Sequence, residues 1–131
     1  MADTLYREEI LEHYRNPQHF GKPKSHTVSS KQTNPFCGDE VELFFRVKND
    51  VVTDVGFEGV GCAISIAAAS ILTEFTLGKS REELTKFDDF DMLSLLGIEV
   101  SETRKKCALL ALSVLRDCLS ENPKSQTLNS K

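Results

Sequence analysis

Residues 40–75 read EVELFFRVKNDVVTDVGFEGVGCAISIAAASILTEF, and the fold class turns on a change of period inside them. Val41, Leu43, Phe45 and Val47 alternate with Glu42, Phe44, Arg46 and Lys48. A repeat of two puts every second side chain on the same side of an extended chain, so this is a strand with one apolar face. Asn49-Asp50 marks a tight turn, because both residues tolerate the backbone that a two-residue hairpin needs. Val51–Phe57 returns as a second strand. After Gly61 the spacing turns helical: Ile64, Ala67, Ala68, Ile71, Leu72 and Phe75 share a face, and Gly78 closes the helix. The apolar face of the hairpin then needs helices to cover it.

Working outward, residues 4–15 predict an amphipathic helix. Tyr6, Ile10 and Tyr14 recur at a step of four and Thr4 can cap the start. Asn16-Pro17 ends it, since the residue before proline is pushed out of the helical region. Residues 17–36 are polar and hold Pro17, Pro23 and Pro35, which predicts a loop with one short strand near His26–Ser30. On the other side, Ser80–Lys86 predicts a short helix with Glu82 and Glu83 placed well for its dipole. Phe87–Gly97 predicts another. Ser101 can cap a last helix to about Leu119, with Leu109, Leu112, Leu115 and Leu119 on its core side. The tail from about residue 120 to 131 is polar and is expected to fray. No internal repeat or domain boundary is visible, so 1–131 is expected to be one domain.

The composition is 40% hydrophobic and 27% charged, ordinary for a globular chain. The first stretch, MADTLYREEILEHYR, is charged throughout and does not read as a secretion signal. No apolar run is long enough to span a bilayer. A cytoplasmic protein with reduced thiols and no membrane partner is therefore expected. The net charge of −4 argues against nucleic acid as the partner.

Three strings carry the chemistry: NPFCGDE at 34–40, GVGCAIS at 59–65 and RKKCAL at 104–109. They hold Cys37, Cys62 and Cys107, and the first adds Asp39. Three soft thiolates and one hard oxygen suit a tetrahedral zinc ion, or an iron–sulfur cluster with one weak, replaceable ligand. Gly38 follows Cys37 and permits unusual backbone angles. Gly59 and Gly61 let the backbone around Cys62 approach another loop closely. Arg104, Lys105 and Lys106 precede Cys107 and favour a thiolate. Buried cysteines also pack as small hydrophobes, and with no C-x-x-C pair the spacing alone leaves both readings open.

Cys118 lies too far along its helix from Cys107 to share a metal, at about 16 Å, and is expected in the core. His13, His19 and His26 read as solvated or satisfied surface histidines. Asp88, Asp89 and Asp91 suggest calcium only superficially, because FDDFDML lacks the loop glycine such a site needs.

From LYREEILEHYRNPQHFG through CGDE and GVGCAIS to the last helix, the chain resembles the iron–sulfur cluster assembly scaffolds of the IscU/NifU N-terminal type and their SufU relatives. The resemblance implies an α+β fold: a small antiparallel sheet of about three strands, helices packed on one face, and a metal site at one exposed end. It also implies a cysteine desulfurase as sulfur donor and iron–sulfur acceptor proteins as recipients. Cys37, Asp39, Cys62 and Cys107 fall on the family's ligand positions. Two functions follow. One is a scaffold that takes persulfide sulfur, with Cys37 as first acceptor, and builds a labile 2Fe–2S cluster. The other is zinc-dependent, SufU-like sulfur transfer through Cys37.

Departures from the pattern also count. IscU-type scaffolds carry histidine where this chain has Lys106, whose ammonium cannot ligate a metal but can pair with Asp39 or a thiolate in the empty site. They carry LPPVK where this chain reads GIEVSETRK, so docking of the dedicated Hsp70-type chaperone is not expected. Arg104 matches SufU, yet the stretch from Cys62 to Cys107 leaves no room for the SufU insertion. The chain is thus SufU-like at the site and IscU-like in length.

Overall fold

The computed structural model describes residues 2–34 and 38–120, with side chains from residue 7 onward. Asn49 and Asp50 both take left-handed backbone, φ 55° and 64°, as a type I′ turn requires. They join β2 (Asp39–Lys48) to β3 (Val51–Val60) in an antiparallel hairpin. The register slips between Arg46 and Val47, leaving Thr53 as the extra residue of a bulge. On the other side of β2 lies β1 (Val28–Asn34), so the sheet runs β1-β2-β3, all antiparallel. The strand expected near His26–Ser30 therefore starts later and runs further. VSSKQTN has little apolar alternation, and its pairing with β2 imposes the extended form.

Val41, Leu43, Phe45, Val55 and Phe57 form the buried face. Helices α2 (Ala63–Thr76) and α5 (Glu102–Ser120) cover it, and α1 (Ala2–Arg15) packs on α2. Every residue of α2 from Ser65 to Thr73 is buried. That explains its run of alanines: small side chains let the sheet and two helices approach from different sides. The short helices α3 (Arg81–Thr85) and α4 (Asp89–Leu96) pack beside α5 and insert Leu84, Met92 and Leu96 into the core. The α+β class, with helices on one face of a three-stranded antiparallel sheet, is as the sequence predicted.

The opposite face is partly covered too, by chain rather than helix. Phe44 alternates with polar residues, yet it is 2% exposed. The segment after Pro17 runs along the edge of β3, where the Gly21 amide donates to the Phe57 carbonyl and the Phe57 amide to the His19 carbonyl. It then crosses beneath the sheet, placing the Lys22 ammonium 5.5 Å from the Phe44 ring and the His26 ring edge-on to it. Gly56 permits the crossing, because a Cβ there would strike the Gly21 carbonyl.

Helix α1 departs from its expected pattern. Ile10 and His13 are buried, a step of three, while Tyr14 faces solvent. Thr4 lies inside the helix and not at its start. The side chains of Thr4 and Tyr6 lie outside the described residues. His13 is no surface histidine: its Nδ1 lies 2.7 Å from Ser70 Oγ, which also accepts from the Gln18 amide. His19 pairs similarly with Thr73 Oγ1 at 3.2 Å. These polar pins join α1 and the following segment to α2.

The acidic stretch at 88–91 is a helix cap. Asp88 Oδ1 accepts from the Asp91 amide at 2.9 Å, and Asp91 Oδ2 accepts from the Asp88 amide at 3.0 Å. Ser80 and Glu83 make the same reciprocal box at the start of α3. Asp88→Ala is expected to lower the melting temperature, because the cap of α4 is lost. Thermal melts should show that loss and no response to added calcium in the parent protein; a calcium-dependent rise would restore the cation reading. No helix among the described residues is long and apolar enough to cross a membrane.

Candidate metal centre

The residue pair Asn34 and Asp39 closes the β1–β2 register at one end of the sheet. Gly38 sits just before it with φ 72°, its amide donating to the Asn34 carbonyl. Asp39 has the same parity as Val41 and Leu43, so its carboxylate turns towards the helices and is 1% exposed. β3 ends beside it, and Gly61 carries the chain into α2 with φ 152°. Cys62 is the residue that precedes α2, in extended backbone. Its amide donates to Asp39 Oδ1 at 3.0 Å, so one of the unpaired helix-start amides is satisfied from another strand.

The two glycines have different duties. A Cβ on Gly59 would strike the Glu40 carbonyl, so that glycine keeps β3 tight against β2. A Cβ on Gly61 would strike the Asp39 carboxylate and come within 2.6 Å of Ser65 Oγ. That glycine leaves room for the acid itself.

Cys107 stands in the second turn of α5, 1% exposed, on the face that meets α2. One oxygen of Asp39 and the sulfurs of Cys62 and Cys107 lie within 4.8 Å of one another. Among the described residues no other set of three His, Cys, Asp or Glu side chains converges this way. None of His13, His19 and His26 joins it. Zinc–thiolate bonds of about 2.3 Å place two tetrahedral ligands about 3.8 Å apart, so modest side-chain rotation would close the set on an ion. Two thiols and a carboxylate fit zinc or an iron–sulfur cluster and not calcium or magnesium.

Burial pushes the Cys62 thiol up, but hydrogen bonding by the Ser65 backbone, the Cys107 side chain and the Ser65 side chain outweighs it. The net result is a thiol held below its ordinary range, although the Asp39 charge opposes the change. The helix start thus favours the thiolate that a metal requires.

Cys37 lies outside the described residues. Arg104 and Lys106 are exposed on the first turns of α5, and Lys105 pairs with Glu102 at 3.0 Å. Cys118 is 2% exposed within the core, as the spacing predicted. The sequence reading missed Ser65, whose hydroxyl lies 3.8 Å from Cys62 Sγ. Its only signal was a serine closing GVGCAIS, where alanine would serve a buried helix equally well.

The family model of the NifU-like N-terminal domain matches residues 5–128. The chain belongs to that family. This NifU-like domain is 35% identical to the zinc-dependent sulfurtransferase SufU of Bacillus subtilis (strain 168), over 86% of this chain and 88% of that one. It is 32% identical to the iron–sulfur cluster assembly scaffold protein IscU of Thermotoga maritima, over 89% and 94%. A crystal structure from Fervidobacterium islandicum AW-1, described as an iron–sulfur cluster assembly scaffold protein for the SUF system, superposes with TM-score 0.72 at 30% identity. It covers 91% of this chain and 99% of that one. Relatives named for cluster assembly and for sulfur transfer thus stand at similar distance.

Proposed function

We propose that this NifU-like domain is a scaffold for iron–sulfur cluster assembly in the cytoplasm. Cys37, Asp39, Cys62 and Cys107 would hold a labile 2Fe–2S cluster, later handed to acceptor proteins. The observation that carries the reading is the buried Asp39 carboxylate gathered with two thiols at a helix start. A permanent structural site has no use for a hard oxygen among soft donors. A site that must empty does, because iron's thiolate bonds outlast that one.

Sulfur would arrive as a persulfide on a cysteine desulfurase. The Cys37 thiolate attacks the outer sulfur, a new S–S bond forms on Cys37, and the donor cysteine leaves as thiolate. Each such sulfur is at the zero oxidation level, so an external electron donor must supply two electrons to make the sulfide of the cluster. Lys106 would pair with Asp39 or a thiolate while no metal is bound.

Similarity to the Bacillus sulfurtransferase and the exposed Arg104 support a second reading. There zinc occupies the same residues and Cys37 leaves it to accept sulfur for delivery elsewhere. One experiment separates the two. The zinc-loaded protein is mixed without air with a desulfurase, cysteine and reductant, then with ferrous iron in place of zinc. A scaffold gains acid-labile sulfide and visible absorbance once iron is present, and Cys37→Ser does not. Several-fold stimulation of the desulfurase by the zinc form, with no cluster at any iron loading, would overturn the scaffold reading in favour of the second.

A further inference from the structure

Ser65 is the third residue of α2 and is completely buried. Its hydroxyl sits among groups of the metal centre. Oγ donates to the Cys62 carbonyl at 3.0 Å and lies 3.8 Å from Cys62 Sγ, within range for a thiol donor. It also borders Gly61, where a Cβ would crowd it. The Cys62 carbonyl already accepts the first helical hydrogen bond, from the Ile66 amide at 3.2 Å. The serine proton therefore makes a second bond to a satisfied oxygen. A serine here also forfeits helix propensity relative to alanine, in a helix that uses Ala67, Ala68 and Ala69 just beyond. Bonding back to a carbonyl would account for a serine at many places in a helix. It does not account for the sulfur beside this one.

We propose that Ser65 is a positioning residue for the metal-bound sulfur: when Cys62 ligates a metal, the Ser65 hydroxyl turns from the Cys62 carbonyl to Cys62 Sγ and donates to it. This rests on Cys62 being a ligand, as proposed above. In the thiol form, the single Cys62 S–H proton faces two acceptors, Ser65 Oγ at 3.8 Å and Asp39 Oδ2 at 3.9 Å. Ligation releases that proton to solvent and leaves a thiolate, which only accepts, facing the oxygen lone pairs. Rotation about the Cβ–Oγ bond replaces that repulsion with a charge-assisted bond and gives up only the redundant one. The donated bond fixes the direction of the sulfur. It also draws charge from it, which raises the reduction potential of a bound cluster and shifts thiolate-to-metal charge transfer to shorter wavelength.

Cobalt(II), loaded without air, is the probe, and its thiolate charge-transfer band is the readout. Ser65→Ala should bind the same stoichiometry of cobalt with the band moved to longer wavelength, and Ser65→Thr should move it back. Ser70→Ala is the comparison: its hydroxyl lies in the same helix but serves Gln18 and His13, so the melting temperature should fall and the band stay in place. If threonine crowds the buried position, the Ser65→Ala and Ser70→Ala pair decides alone. An unmoved band in Ser65→Ala, or an equal shift in both alanine variants, overturns the proposal. No thiolate band in the parent protein would overturn the ligand set and this proposal together.

Discussion

Cys62→Ser and Cys107→Ser should each weaken zinc or cobalt binding by more than about a hundred-fold, and Cys37→Ser should do the same. Losing only a partner that orients a ligand costs about 10–100-fold, so losing a soft ligand outright must cost more. The serine hydroxyl is no substitute, because it does not ionise near neutral pH and is a hard donor. Cys118→Ser is the control. It buries a hydroxyl at a position 2% exposed, so some stability is lost, about 1–3 kcal/mol, while affinity stays put. Competition against a chromophoric chelator, with melts alongside, measures both. Metal loss in Cys118→Ser with retention in Cys62→Ser would overturn the ligand set.

Gly61→Ala should damage the site out of proportion to its size. At φ 152° an alanine is strained before any contact is counted. Its Cβ would also meet the Asp39 carboxylate and Ser65 Oγ. Asp39 must then give way, and with it the bond to the Cys62 amide. We expect a loss of about 1–3 kcal/mol in stability and at least about ten-fold in metal affinity. Gly78→Ala separates the two effects. Gly78 also has positive φ, 85°, but nothing lies within 4 Å of where its Cβ would stand. It should lose about 1–2 kcal/mol with metal affinity unchanged. Equal affinity losses in the two variants would mean that Gly61 acts on global stability and not on the site.

Local chemistry made most turns and helix starts legible in the sequence, although Thr4 does not cap α1 as expected. Asn49-Asp50 names its turn because few residues tolerate two successive left-handed positions. The change from period two to helical spacing at Gly61 names the strand-to-helix junction, since burial on one side leaves a different spacing in each element. Ser80 and Ser101 mark helix starts through bonds made within one turn, whereas Asp88 shows itself as a cap only in the structure. The misreadings arise where distant segments meet. Phe44 looks half-exposed until the segment around Lys22 and His26 crosses beneath it. His13 looks solvated until Ser70, 57 residues away, presents its hydroxyl. VSSKQTN becomes a strand only because β2 offers it a ladder.

The same division runs through the site. By itself the sequence determined which residue types are available to a metal, and that Gly59 and Gly61 flank one of them. Tertiary structure decided which of them converge. Asp39, Cys62 and Cys107 meet because one sheet end, one helix start and the second turn of another helix are packed together. It also decided why Gly61 has no side chain, and that Ser65 belongs among them. Spacing along a chain constrains neighbours within a turn or a strand. Contacts across elements are set by how buried faces pack, and no local pattern encodes that distance.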